Sequence, residues 1–263
     1  MKMKDPIAQP INPVCDENSC TTHPAPGTKG VVPSSNSRDK LRVEVVSDVI
    51  CPWCYIGKRK LDKAIALIAE QIPAEVVWRP FELNPTMPPE GLNRREYRSA
   101  KFGSWQKSQQ MDEGVTAAGA AEGIAFHFER IDRTPNTRDA HRLIWLAQER
   151  GVQDAAVEVV FRAYFVEGRN MNDRATLIAL AIEVGIPQPE AERFFATDEG
   201  TAEVIAEEKR SHTLGVHGVP TFVAAGVLLF SGAQPPDLMA EEFLRIAGPG
   251  AGDEINVADQ KDQ

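Results

Sequence analysis

The sequence predicts an α/β protein in which a long α-helical segment is inserted into a small mixed β-sheet. Three observations predict this fold. Residues 41–83 read as strand, helix and strand, residues 86–212 are dominated by helical periodicity, and residues 218–247 read as two strands followed by a helix.

The first segment is a βαβ unit. Apolar and charged residues alternate from Leu41 before the run becomes wholly apolar, which is typical of a strand that enters a core. A helical period follows from Pro52, and Pro73 ends it before a second strand-like run at 76–83. The apolar face of this helix consists of Leu61, Ala64, Ile65, Ile68 and Ile72. Because βαβ connections are right-handed, the two strands are predicted to be parallel.

The middle segment shows helical patterns over 138–150, 154–167, 173–184 and 201–214, with Asp173 as a capping residue. Two strands that turn at Ala225-Gly226 and a helix over 236–247 complete the chain. The order βαβ, helices, ββα predicts a thioredoxin-like core with a large α-helical insertion. The predicted parts are an arm at 1–40, the βαβ half at 41–85, the insertion at 86–212, the ββα half at 213–247 and a polar tail at 248–263.

Composition limits the function. Lys and Arg number 29 against 38 Asp and Glu, and this net charge of −9 argues against nucleic acid or an anionic membrane as partner. The first residues lack the apolar block of a signal peptide, so we expect a cytoplasmic protein. Thiol- or disulfide-containing proteins and small thiols are the expected partners, and the sequence does not indicate an oligomeric state.

The cysteines form two local pairs, Cys51/Cys54 and Cys15/Cys20. In CPWC, Pro52 favours the first helical position, which makes Cys51 the N-cap and places Cys54 one turn inside the helix. An N-cap side chain accepts backbone N–H hydrogen bonds at the positive end of the helix dipole, so Cys51 is predicted to be the thiolate and Cys54 the resolving partner. Asp48 is either a proton-transfer group for Cys54 or a capping or surface carboxylate.

Zinc binding is the main alternative interpretation of these cysteines. A site of four ligands would have to recruit Cys15 and Cys20 from the proline-rich arm, and a zinc knuckle does not usually open a long helix after a strand, so no metal is predicted at CPWC. Cys15 and Cys20 themselves are either an accessory redox pair, zinc ligands together with His23, or incidental thiols. Lys58, Arg59 and Lys60 either attract acidic substrates or form a solvated helix face.

Seven segments resemble the DsbA-like thioredoxin superfamily, in particular its FrnE-like branch, over residues 41–247. They are CPWCYIGKR at 51–59, WRPFELNP at 78–85, PNT at 135–137, AHRL at 140–143, AYFVEG at 163–168, GVPTF at 218–222 and SGAQP at 231–235. The resemblance implies a thioredoxin fold, a catalytic cysteine at Cys51, a resolving cysteine at Cys54 and a cis-proline at Pro220.

The resemblance also implies several contacts with substrate. The Val219 backbone would pair with an extended substrate, flanked by Gly218 and Thr221. Asn136, Thr137 and His141 would line a cleft that Asn84 also reaches. The sequence alone instead favours a helix cap for Asn136 and Thr137 and a hydrogen-bonded core histidine for His141. Trp53 replaces the histidine of an oxidising relative and cannot stabilise a thiolate by charge, so a milder oxidant is expected.

Three functions follow from these residues. The first is a protein disulfide oxidoreductase that acts by dithiol–disulfide exchange through Cys51 and Cys54, with no required cofactor and with glutathione as a redox partner. The second is a glutathione-dependent isomerase or transferase, resembling 2-hydroxychromene-2-carboxylate isomerase or the kappa-class glutathione transferases. The third is a zinc- or redox-gated module that binds proteins.

Overall fold

A four-stranded mixed sheet carries the predicted halves of the fold. The computed structural model describes residues 40–248, in which the strands lie in the order β2, β1, β5, β6. β1 (Leu41–Ser47) is parallel to β2 (Ala74–Pro80) and antiparallel to β5 (Thr221–Ala224), which forms a hairpin with β6 (Val227–Ser231). The parallel βαβ unit predicted from the sequence is therefore confirmed.

Helices α1 (Pro52–Ile68) and α9 (Pro236–Ala247) pack against each other beside this sheet. Leu61, Ala64 and Ile68 of the predicted apolar face of α1 are fully buried. The turn between β5 and β6 uses Ala225 and Gly226 with positive φ angles of 50° and 77°, a combination that joins antiparallel strands tightly.

The insertion contains seven helices between β2 and β5, and their backbone bounds are as follows. They are α2 (Arg94–Phe102), α3 (Trp105–Ala120), α4 (Arg138–Glu149), α5 (Gln153–Phe165), α6 (Arg174–Glu183), α7 (Gln188–Phe195) and α8 (Thr201–Thr213). Asp173 caps α6 as predicted, because its carboxylate accepts hydrogen bonds from the amides of Ala175 and Thr176.

The insertion also contains short elements other than α-helices. A two-stranded antiparallel ladder pairs β3 (Leu92–Asn93) with β4 (Arg133–Thr134), and a short 3₁₀ turn spans Phe128–Arg130. Strands of two residues are too short to show an alternating pattern, and for this reason they were not predicted.

The second predicted strand also ends earlier than expected, at Pro80 instead of residue 83. The Phe81 amide still donates to Ser47 O, but the next two amides donate to side chains: Glu82 to Glu208 and Leu83 to Asp48. The chain therefore leaves the sheet at Pro80 and is held by two buried carboxylates.

One hydrophobic core joins the sheet to the insertion. Tyr55 of α1 stacks on Phe161 of α5 with ring centroids 5.1 Å apart, and Trp78 of β2 meets the same Phe161 edge-on at 6.4 Å. Trp78 and Phe81 are both buried. Within residues 40–248, no helix is both long and apolar enough to cross a membrane.

Candidate active site

The loop between β1 and α1 presents Cys51 at the start of the helix. Cys51 is the N-cap residue with extended backbone angles, and Pro52 occupies the first helical turn, as predicted. The Cys51 amide donates to Asp48 O at 3.0 Å, and the Cys54 amide donates to Cys51 O at 3.0 Å. These two bonds fix the backbone on both sides of the Cys51 sulfur.

The expected cap hydrogen bonds to the Cys51 sulfur are absent. The thiol instead donates to Val219 O, with an Sγ–O distance of 3.6 Å. A protonated thiol carries a hydrogen that needs an acceptor, so it turns to a carbonyl and away from the helix amides. The predicted cap hydrogen bonds belong to the ionised sulfur, which accepts them and has no hydrogen to donate.

Cys54 lies behind Cys51 and has no exposed surface, whereas Cys51 keeps 7% of its surface exposed. Burial is the main reason that the pKa of the Cys54 thiol lies well above its usual range, and the hydrogen bond and charge of Cys51 raise it further. The polar groups of the Ser47 side chain and the Asp48 backbone oppose the shift. The two sulfurs therefore differ in access as the predicted attacking and resolving roles require.

The loop before β5 closes one side of the site. The Val219–Pro220 peptide bond is cis, and Pro220 lies against Gly57 of α1, where an added Cβ atom would come within 3.1 Å of Pro220 Cγ. Thr221 is fully buried, and its hydroxyl donates to Gly218 O at 2.7 Å. The Thr221 side chain is thus engaged inside the protein, while the Val219 carbonyl faces Cys51.

A cavity of about 190 Å³ opens beside Cys51, between the start of α1 and the helices α2 and α3. The Trp53 side chain, at the edge of this cavity, is 43% exposed. Leu83 and Met111 are two further exposed apolar side chains that line the cavity. Asn84 also lines the cavity, as predicted from the sequence. The cavity has an apolar rim next to the reactive sulfur.

The far wall of this cavity is basic. Arg94 and Arg98 both pair with the single carboxylate of Asp112, at 2.6 and 2.8 Å. Near the mouth, Asn84 Oδ1 accepts hydrogen bonds from Tyr97 and Lys101, which leaves the Asn84 amide nitrogen as an available donor. Three cations against one anion make the lining net positive. Five residues that line the cavity were not identified from the sequence as site residues: Arg94, Tyr97, Arg98, Lys101 and Met111.

Three other residues expected at the cleft are placed elsewhere. Asn136 caps the start of α4 by accepting from the Arg138 amide and donates to Met87 O. Thr137 is buried, and His141 Nε2 lies 3.2 Å from Phe81 O. None of the three lines the cavity beside Cys51, so the geometry favours the cap and the hydrogen-bonded core histidine over substrate contact.

Asp48 is fully buried, so the interpretation as a surface carboxylate is wrong. One of its oxygens accepts from the Leu83 amide at 2.7 Å, and the other accepts from the Ile50 amide at 3.3 Å and lies 3.6 Å from His141 Nε2. Asp48 therefore ties the Cys51 loop to the cavity wall at Leu83.

Both interpretations of Lys58 were also wrong. This side chain is buried in α1 and pairs with Asp62 at 3.2 Å and with Asp154 of α5 at 3.0 Å. Arg59 pairs with Glu158, also of α5. These cations join the core to the insertion and do not face the site.

No cluster of metal ligands occurs among the residues that the structure describes. Both Cys51 and Cys54 are free thiols. The Cys15/Cys20 pair and the polar tail lie outside the described residues, and so the accessory roles predicted for that pair stay predictions.

A thioredoxin-like sheet that holds two neighbouring cysteines at a helix start defines the class of thioredoxin-like oxidoreductases and their related enzymes. Comparison with known proteins identifies the family: residues 42–244 match the DsbA-like thioredoxin domain, and the chain belongs to that family. The fold and the family resemblance stated from the sequence are thereby confirmed.

The chain is also similar to three individual proteins. A probable DsbA oxidoreductase from Streptomyces coelicolor, SCO1869, is 35% identical with a TM-score of 0.72, over 78% of this chain and 89% of that one. The protein YwbO of Bacillus subtilis (strain 168), whose own function is uncharacterised, is 29% identical over 72% of this chain and 89% of its own length. The cytosolic disulfide reductase DsbM from Pseudomonas aeruginosa, solved with GSH, shares the fold at 19% identity and a TM-score of 0.52, over 76% of this chain and 96% of that one.

Proposed function

We propose that the protein is a thiol–disulfide oxidoreductase in which Cys51 exchanges with the substrate and Cys54 resolves. The observation that carries this proposal is the asymmetry of the pair. Cys51 lies at a helix start, beside an open cavity and the Val219 carbonyl, whereas Cys54 is buried directly behind it.

The reaction proceeds in two exchange steps. The Cys51 thiolate attacks a substrate disulfide, forms a mixed disulfide and releases one substrate sulfur as a thiolate. The Cys54 thiolate then attacks the Cys51 sulfur, so that the intramolecular disulfide forms and the second substrate sulfur leaves. The protein dithiol is oxidised by two electrons while the substrate disulfide is reduced, and the reverse sequence oxidises a substrate dithiol.

The contact of the Val219 carbonyl with Cys51 supports a role for the Val219 backbone in holding substrate, and the cavity supports such a role for Trp53. A substrate strand that replaces the Cys51 thiol at Val219 O would donate an amide hydrogen there, as in strand addition. Trp53, Leu83 and Met111 offer apolar contact next to the exchanging sulfur.

Glutathione is the small thiol that we propose as redox partner. The cavity offers donors for its carboxylates at Asn84 and Lys101, and its net positive lining favours an anionic ligand. DsbM, which shares the fold, was solved with GSH. No cofactor is needed for the exchange steps themselves.

Reduction of insulin disulfides tests the proposal. The wild-type protein with excess glutathione should accelerate insulin reduction, Cys51→Ser should be inactive, and Cys54→Ser should accumulate a mixed disulfide that mass spectrometry detects. A glutathione-dependent isomerase would keep its turnover after Cys54→Ser, and full insulin-reducing activity in Cys51→Ser would exclude the proposed nucleophile.

A further inference from the structure

Val219, in the loop before β5, lies between two backbone carbonyls that are already engaged inside the protein. Gly218 O accepts a hydrogen bond from the Thr221 hydroxyl at 2.7 Å. Pro220 O accepts one from the Gly232 amide at 2.8 Å. Among residues 40–248, the Val219 amide itself has no hydrogen-bond partner, so it is free to donate to a molecule that approaches from outside.

The Val219 carbonyl has one partner in the same part of the chain, and that partner is the reactive thiol. Cys51 Sγ lies 3.6 Å from Val219 O and donates to it. An extended peptide that is added along Val219 as a strand needs this oxygen as the acceptor for one of its own amides. Although a carbonyl oxygen has two lone pairs, a second donor shares its negative charge with the first. The Cys51 thiol therefore weakens the bond that a peptide amide makes at Val219 O.

Only the dithiol form of the protein contains this competing donor. A disulfide between Cys51 and Cys54 has no S–H hydrogen, so its sulfur atoms have nothing to donate to a carbonyl. Oxidation of the pair therefore releases Val219 O, and reduction restores its contact with the thiol.

We propose that the Cys51 thiol competes with extended peptides for Val219 O, so that the disulfide form of the protein holds a substrate strand more tightly than the dithiol form. This inference rests on the proposed function and adds a redox-dependent step of docking and release to it. When the disulfide form oxidises a substrate dithiol, two electrons and two protons pass from the substrate to the protein. Cys51 then carries a thiol again, and this thiol returns to Val219 O as the oxidised substrate departs.

The relative strength of the two donors sets the size of the effect. A thiol is a weaker hydrogen-bond donor than an amide, so a peptide displaces Cys51 from Val219 O and is not excluded by it. The net contribution of one hydrogen bond corresponds to a change in affinity of about two- to tenfold. By thermodynamic reciprocity, a bound peptide should favour the disulfide form by the same factor when the protein is equilibrated with a dithiol buffer.

Binding of a peptide that cannot exchange tests the proposal. The probe is the fluorescein-labelled B chain of insulin with serine in place of its cysteines, and fluorescence anisotropy measures its Kd at pH 5, where a thiol of ordinary acidity keeps its proton. We expect oxidised wild type to bind the probe about two- to tenfold more tightly than reduced wild type. In reducing buffer, Cys51→Ala lacks the competing thiol and should bind as tightly as the oxidised form. Cys54→Ala keeps that thiol and should bind as weakly as the reduced form.

N-methylation of the probe separates a hydrogen bond from a steric effect of the Cys51 side chain. In a set of probes that are methylated at one amide at a time, one member should lose its preference for oxidised wild type and for Cys51→Ala, because it cannot donate to Val219 O. A preference that survives every methylation, equal affinities of all four forms, or no binding to the oxidised form would overturn the proposal. Failure of the wild type to reduce insulin would instead contradict the proposed function, since the binding assay involves no exchange.

Discussion

At the scale of single residues, the site depends on how closely α1 approaches Pro220. Gly57 is the residue that permits this approach, since a Cβ atom there would lie 3.1 Å from Pro220 Cγ and 3.6 Å from the Phe222 ring. A contact of 3.1 Å is tighter than ordinary packing, so the Pro220 ring, next to Val219, would have to shift by a few tenths of an ångström.

We therefore predict that Gly57→Ala slows exchange at Cys51 several-fold without a comparable loss of stability. Alanine favours a helix over glycine by about 1 kcal/mol, and this gain offsets part of the strain. Gly114→Ala is the matched control, because Gly114 lies in helix α3 with no atom within 4 Å of an added Cβ. Rates with the chromogenic disulfide dithiobis-nitrobenzoate and melting temperatures of both variants test the prediction, which fails if the two variants react equally fast.

Glu82 is a second residue with a measurable consequence. Burial is the main reason that its pKa lies above the usual range, and the hydrogen bond from Arg138 opposes the shift only in part. The folded state therefore holds the Glu82 proton more tightly than the unfolded state. Stability contributed by this group is full below the unfolded pKa and is lost as the pH rises through the folded pKa.

The expected result is that Glu82→Gln is more stable than the wild type at pH 7, by about 1 kcal/mol or less, and that the difference disappears in acid. Chemical denaturation at pH 4 and pH 7 measures both values. Glu203→Gln, at an exposed position of α8, should change neither value. A variant that is less stable than the wild type at pH 7 would mean that the Arg138 pair outweighs the cost of burying the charge.

At the scale of elements, α2 and α3 act as one wall of the substrate cavity. They are joined by the carboxylate of Asp112, which pairs with Arg94 and Arg98 of α2. Arg94 is buried and lies over the rings of Trp105 and Phe128 at 5.5 and 5.4 Å, so its charge has few other compensating partners.

Removal of this carboxylate should be costly. Asp112→Asn leaves two guanidinium groups without their common counter-ion, and we expect a loss of about 3 kcal/mol in the free energy of unfolding. Glu113→Gln, the adjacent exposed position, should cost far less. Urea denaturation compares them, and similar losses in the two variants would show that the Asp112 pairs contribute nothing special.

The sequence predicted elements better than it predicted their surroundings. Local patterns within single segments predict the βαβ and ββα orders, the helices α4, α5, α6 and α8, the helix start at Cys51 and the cap at Asp173. They did not predict α2, α3 and α7 individually. The burial of Lys58 does not follow from such a pattern, because its partner Asp154 belongs to α5, almost one hundred positions away. Likewise, Lys101 and Met111 line the same cavity as Cys51 only after α2 and α3 fold beside the helix start, and no spacing in the chain indicates that they share it.

At the scale of the whole molecule, the insertion and the sheet contribute side chains to the same hydrophobic core. Tyr55 contacts both Phe161 and Phe126, and its hydroxyl donates to Glu158, which also binds Arg59. Burial beside Glu158 raises the pKa of Tyr55 far above its usual range, so this tyrosine stays neutral over the whole physiological range.

A shared interior predicts cooperative unfolding. We expect far-UV circular dichroism, which reports mainly the helices, and tryptophan fluorescence, which reports Trp78 in β2 together with the other indoles, to show coincident transitions in urea. The decisive measurement uses a variant in which Trp78 is the only tryptophan. Loss of the helical signal at a lower urea concentration than the change in Trp78 fluorescence would indicate an insertion that unfolds independently.

Because the two sulfurs are unequally buried, alkylation of the second one can measure local opening of the protein around the helix start. An alkylating reagent added to the native, reduced protein would meet one reachable sulfur at the helix start and none behind it. Each molecule would take up a single adduct from this pair, and a second would appear only after the helix start lifted away from the sheet. Counting adducts by mass would therefore report how often the buried half of the pair becomes visible to its surroundings, at equilibrium and without a denaturant.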